Sequence, residues 1–230
     1  MQETDHGKEE FVNRLAVVER LRRDGGLAII RVDSAADLVR VAEAIRDGGI
    51  SSIEITMTTP GALEAIKAAS EQLDGTLFGA GTILDATTAR EAILAGARFL
   101  VTPTVEPDVI EMGHRYDVAV ICGAKTPTEI LAAWEAGADL VKVFPADALG
   151  PGFLKAVRGP LPQIPLVPTG GITAETAGQY IHAGAALVCA GGWLVDSKTV
   201  AAGQYDVLTK RARQLAEAVR QARQEREDGL

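Results

Sequence analysis

The chain has 230 residues and a formal charge of −8, from 23 Lys and Arg against 31 Asp and Glu. With no basic block ahead of the C-terminal segment, that balance argues against nucleic acid or another polyanionic partner. The opening, MQETDHGKEEFVNRL, is polar, and no later stretch stays apolar long enough to span a bilayer, so a soluble cytoplasmic protein with no membrane partner is expected.

Residues 8–23 read as a helix ahead of the first strand. Short apolar runs then alternate with longer amphipathic segments, the pattern of a parallel sheet with crossover helices. Strands are predicted at 27–31, 52–56, 77–80, 99–102, 118–121, 140–144, 166–168 and 187–189. Helices are predicted between them at 35–47, 60–73, 86–95, 126–136 and 174–183, with a last helix from Tyr205 fraying into QEREDGL. Gly48, Gly96, Gly137 and Gly184 fall where helix C-caps need them. GGISSIEI, AGARFLV, AGADLVKV and AGAALVC thus repeat one joint: helix, glycine turn, small residue, strand. The repetition, with no dinucleotide fingerprint after the first strand, favours a closed (β/α)8 TIM barrel with an extra N-terminal helix over an open doubly wound sheet. One domain over 1–230 is expected: N-terminal helix at 1–26, barrel at 27–204, C-terminal helix and charged tail at 205–230. Cys122 and Cys189 lack the paired spacing of a zinc or redox site, and His6, His114 and His182 are scattered, so chemistry without a metal is favoured.

In a barrel strand, alternate residues face the interior and the surrounding helices. In SSIEIT, Ile53 and Ile55 suit the helix side, which turns Ser52, Glu54 and Thr56 inward. In DLVKVF, Val141 and Val143 suit it too, leaving Leu140, Lys142 and Phe144 directed inward. Glu54 and Lys142 then project from the second and sixth strands, facing walls of the barrel, near the strand ends where barrel active sites form. Burying an unpaired ammonium is costly, and a desolvated lysine tends to lose its proton, which suits a nucleophile. The competing structural reading is a buried ion pair that only braces the barrel, a weak source of stability.

Arg31, Thr82 in GAGT, Thr102 with Pro103, and Thr169 gather at the same rim. Arg31 suits bidentate recognition of a carboxylate or phosphate, or else snorkels from a strand end. Gly170–Gly171 in TGGI and Gly191–Gly192 in AGGW follow the seventh and eighth strands, where barrels often build a phosphate site; plain turn glycines are the alternative.

From about Leu27 to Lys210 the ordered motifs GGISSIEITMTTP, GAGTILD, TPTE, KVFPAD, PTGGI, GGWLV and GQYDVLTKRA resemble the 2-keto-3-deoxy-6-phosphogluconate (KDPG)/4-hydroxy-2-oxoglutarate (KHG) aldolase family. The resemblance implies a homotrimeric barrel and a class I, Schiff-base lyase that needs no cofactor. It also implies Lys142 as the Schiff-base lysine, Glu54 as general acid/base, and Thr82, Thr169 and Phe144 around pyruvate. Gly170, Gly171, Gly191 and Gly192 would face a distal phosphate. The implied substrate is a 2-oxo-3-deoxy acid such as 2-dehydro-3-deoxy-6-phosphogluconate, cleaved to pyruvate and D-glyceraldehyde 3-phosphate, or 4-hydroxy-2-oxoglutarate, cleaved to pyruvate and glyoxylate. Three positions depart from the pattern. Thr58 replaces an arginine, with Arg31 the candidate substitute; Gly192 replaces a phosphate-reading serine; and Lys125 stands at the rim, either binding an anionic substrate end or simply solvated. Two rivals keep the barrel: an isomerase or synthase of a phosphorylated metabolite, with Lys142 only an electrostatic group, and a non-catalytic oligomeric scaffold.

Overall fold

The computed structural model describes residues 13–32 and 37–229. His6 and the first residues of the helices predicted at 8–23 and 35–47 lie outside them. α1 (Arg14–Asp24) opens on Asn13, whose side chain accepts the Ala16 N–H, and stops at Gly25 in the left-handed region (φ 74°). Strands and helices then alternate: β1 (Gly26–Ile30), α2 (Leu38–Asp47), β2 (Ser52–Thr56), α3 (Ala62–Gln72), β3 (Leu77–Gly81) and α4 (Ala86–Leu94). The second half continues with β4 (Phe99–Val101), α5 (Pro107–Arg115), β5 (Ala119–Ala124), α6 (Pro127–Glu135), β6 (Leu140–Val143) and α7 (Gly150–Arg158). β7 (Leu166–Pro168), α8 (Ala174–His182), β8 (Val188–Ala190), a short α9 (Ser197–Ala201) and the long α10 (Tyr205–Glu227) complete it.

All ladders are parallel, in the order β7-β6-β5-β4-β3-β2-β1-β8, and a single bridge between Thr169 and Cys189 joins the two outer strands. The expected (β/α)8 barrel is therefore present, nearly closed. Among the described residues no helix is long and apolar enough to cross a membrane.

The glycine joints work as expected except at the first. Gly96, Gly137 and Gly184 take positive φ (106°, 100° and 95°) just past α4, α6 and α8. After α2 that role falls to Gly49 (φ 96°), while Gly48 stays right-handed. Gly48 instead admits α10, because a β-carbon there would overlap Ala212 Cβ and stand 2.6 Å from the Thr209 carbonyl oxygen.

β2 and β7 have the expected bounds, and the ends of the other strands move by up to three residues. β5 runs on through Cys122, Gly123 and Ala124, small residues with little strand preference, because the ladder with β6 continues at Gly123↔Lys142 and Ala124↔Val143. β1 ends at Ile30, so Arg31 lies one residue beyond it.

Parity sorts the core into two clusters. Ile53, Ile55, Val141 and Val143 face the helices. Leu27, Ile29, Leu77, Phe99, Ala119, Ile121, Leu140, Val167, Leu187 and Cys189 fill the barrel, and Val17 and Leu21 of α1 pack onto that inner cluster. The extra N-terminal helix is thus a plug for the end of the barrel where the strands begin. A residue as buried as Leu21 stabilises by roughly 1.5–3 kcal/mol.

Candidate active site

At the opposite end, where the strands finish, the interior opens into a cavity of about 410 Å³. Its wall holds Arg31, Glu54, Thr82, Pro103, Lys142 and Phe144. Thr169, Gly170, Gly171, Gly191 and Gly192 also border it. Of the residues expected here, Thr102 alone is off the wall. Its buried hydroxyl donates to the Thr104 carbonyl (2.6 Å) and accepts the Gly123 N–H (2.9 Å), so it braces the turn that carries Pro103. Thr58 and Lys125 are likewise absent from the wall and exposed. The Thr58 hydroxyl pairs with Thr56 (3.0 Å), and the Lys125 backbone N–H donates to Glu129 Oε2 (2.9 Å).

Glu54 is 1 % exposed and Lys142 6 % exposed. They stand on β2 and β6, four places apart in the strand order, and among the described residues no ion pair links them. Both line the cavity. Burial pushes the Glu54 carboxyl up from its ordinary range, and the charges of Lys142 and Arg31 pull partly the other way. Among the described residues Glu54 Oε2 has no hydrogen-bond partner. A buried carboxyl of raised pKa and an amine that line one cavity are the equipment of acid–base chemistry on a covalently held carbonyl compound. The Phe144 ring covers one side of the lysine tip, with Nζ 5.1 Å from the ring centroid.

Backbone geometry shapes the rest. Thr82 sits at φ 59°, a strained conformation for a β-branched residue, held where β3 leaves the sheet at the cavity wall. Gly170 and Gly171 take φ 102° and 68°, and a β-carbon on Gly171 would overlap the Asp147 side chain. Ile172 and Thr173, which lead into α8, line the cavity too, so the amino end of that helix borders it, a setting that favours an anion.

The wall also contains residues that sequence reasoning missed: Ile29, Trp193, Val195, Asp196 and Ser197. Ile29 was within reach, being two positions before Arg31 on the same strand face. Asp196 was signalled by the DSKT run after WLV, an N-cap pattern. It caps α9 through the Thr199 N–H (3.0 Å) and hydroxyl (2.7 Å) and accepts from Arg211 Nη1 (2.7 Å). Arg211 above all, then Thr199, holds its carboxyl well below the usual range.

A larger hollow of about 600 Å³ lies at the plugged end, beside Arg22, Arg158, Arg223 and Arg226. Arg223 donates there to the carbonyls of Arg22 (2.5 Å), Arg23 (2.6 Å) and Ala186 (3.0 Å), and Arg226 donates to that of Ile181 (3.3 Å). These two arginines tie α10 to the ends of α1 and α8.

Comparison with known proteins points to one family. The family model for KDPG and KHG aldolase matches residues 17–211. A 2-dehydro-3-deoxy-phosphogluconate aldolase of Treponema pallidum (strain Nichols) is 34 % identical over 89 % of this chain and 98 % of its own length. A solved structure described as native KDPGal superposes with a TM-score of 0.81 at 32 % identity, covering 86 % of this chain and 96 % of that one. A KDPG aldolase from Legionella pneumophila, with pyruvate captured as a covalent carbinolamine intermediate, superposes with a TM-score of 0.80 at 27 % identity, covering 86 % and 97 %. The chain belongs to the KDPG and KHG aldolase family.

Proposed function

We propose that the protein is a class I aldolase that cleaves 2-dehydro-3-deoxy-6-phosphogluconate to pyruvate and D-glyceraldehyde 3-phosphate. The observation that carries this reading is that Lys142 and Glu54, from facing strands, line one cavity at the open end of the barrel. The Lys142 Nζ lone pair attacks the C2 ketone to give a carbinolamine. Glu54 gives its proton to the carbinolamine hydroxyl, which leaves as water, and the iminium forms. The Glu54 carboxylate then takes the C4 hydroxyl proton. The C3–C4 bond breaks, its electron pair passes into the iminium to give an enamine, and the aldehyde departs. Glu54 returns the proton to C3, and hydrolysis frees pyruvate and the lysine.

Arg31 holds the substrate carboxylate, while Thr82, Pro103, Phe144 and Thr169 enclose the pyruvyl part. Gly170 and Gly171, at the approach to α8, with Gly191 and Gly192, receive the distal phosphate. One feature favours 4-hydroxy-2-oxoglutarate as a second substrate. Gly192 carries no hydroxyl to read a phosphate, although a β-carbon there would meet nothing within 4 Å. Relatives named KHG/KDPG aldolase, such as that of Escherichia coli at 32 % identity over 84 % of this chain, are in keeping with dual use. A homotrimer is the assembly the family resemblance implies, and sedimentation measures it. The direct assay is pyruvate release from the two acids. Faster turnover of 2-dehydro-3-deoxy-6-phosphogluconate supports the reading, and pyruvate from neither acid overturns it.

A further inference from the structure

β3 contributes two glycines to the barrel interior, and they do different work. In the β2–β3 ladder Glu54 is level with Gly79, and Thr56 with Gly81. Inward side chains on neighbouring strands normally stand beside their register partners. At Gly79, however, the space is already filled, because a β-carbon there would overlap the Phe99 ring. The Glu54 side chain instead leans along the barrel axis onto Gly81. A β-carbon on Gly81 would overlap Glu54 Oε1 and Cδ and stand 2.6 Å from its Cγ. The carboxyl therefore occupies the volume that any side chain at position 81 would take.

We infer that Gly81 is a positioning residue for Glu54: its missing side chain is the seat that lets the carboxyl reach from the level of Gly79 up to the open end of the barrel. Two further facts agree. Among the described residues Glu54 Oε2 makes no hydrogen bond, so at that oxygen the shape of the seat, not a polar partner among them, sets the position. Thr82 follows directly in a strained left-handed conformation, which marks this corner of β3 as held by its surroundings. A methyl group at 81 would push the carboxyl off its position by about 1 Å or more, and a misplacement of that size costs roughly 10²-fold in rate. Lys142 stands on the other side of the barrel and would be untouched.

The inference rests on Glu54 being the acid/base, and the experiment separates the two. In Gly81→Ala, kcat should fall about 10²-fold, while the final yield of borohydride-trapped pyruvate after long incubation, which does not depend on how fast Glu54 delivers its proton, and the KM for substrate stay near wild type. Glu54→Asp, one methylene shorter, lessens the overlap by drawing the carboxyl oxygens back from position 81, so the Gly81→Ala/Glu54→Asp double variant should recover at least tenfold over Gly81→Ala. That double variant also serves if Gly81→Ala fails to fold, because it should then fold and turn over. Gly79→Ala is the packing control and should lower the melting temperature through Phe99. Wild-type kcat in a folded Gly81→Ala, or a double variant no better than the single one, overturns the inference. So does equal loss of trapping and turnover. If Glu54→Gln itself turns over normally, the role given to Glu54 fails first.

Discussion

The two ends of the barrel interior are built from the same strands and could hardly differ more. Where the strands begin, Leu27, Leu77, Phe99, Leu140 and Leu187 fill the space and α1 seals it with Val17 and Leu21. Where they end, the same inward rows turn to Glu54, Lys142 and Thr169, glycines replace bulk, and about 410 Å³ is left open. Leu140 and Lys142 are two residues apart on one face of one strand, the first in the packed half and the second at the cavity. The contrast divides stability from chemistry: close packing at one end holds the strands at fixed spacing, and a rigid frame lets an amine and a carboxyl stay buried at the other.

That division can be broken from either side. The largest effect is expected from Lys142→Ala, which should lower pyruvate release by on the order of 10⁴–10⁶-fold with an unchanged melting temperature, as loss of a covalent nucleophile does. Glu54→Gln should cost about 10²–10⁴ in turnover, while the adduct still forms to its full final yield, only more slowly. The same variant carries a stability signature. The folded pKa of Glu54 lies above its unfolded value, so the folded protein holds the extra proton between the two. Its stability then falls as pH rises through that window and levels off above it. Glu54→Gln should accordingly melt above wild type on the alkaline side and lose that advantage as pH is lowered, read from melting curves across the range.

In the packed half, Leu21→Ala should cost about 2–5 kcal/mol in denaturant unfolding and leave kcat near wild type. Equal damage to kcat would mean that the two ends are not separable. The smallest effect is expected from Asp196→Ala, which removes the α9 cap and the Arg211 contact for about 1 kcal/mol, read as a lowered midpoint in denaturant.

Much of this was legible before any coordinates. The repeated glycine joint gave the barrel, and strand parity alone turned Glu54 and Lys142 inward, because Ile53, Ile55, Val141 and Val143 leave no other face for the helices. What stayed hidden depends on neighbours distant in sequence. Thr102 is as inward-looking as Thr169 by pattern, yet its hydroxyl is taken by the Gly123 N–H from β5, as well as by the Thr104 carbonyl two residues on. The lean of Glu54 onto Gly81 is fixed by Phe99 on a third strand. The N-terminal helix was visible as a helix but not as a plug, since its heptad of mixed charge, RLAVVER, gives no sign of what its two buried side chains touch.

The most direct test is to incubate the wild-type chain with pyruvate, reduce with borohydride, and map the modified peptide by mass. A single reduced pyruvate adduct on Lys142 is expected if that residue is the nucleophile. An adduct on Lys125 or another lysine, or none at all in protein that releases pyruvate from substrate, would contradict it.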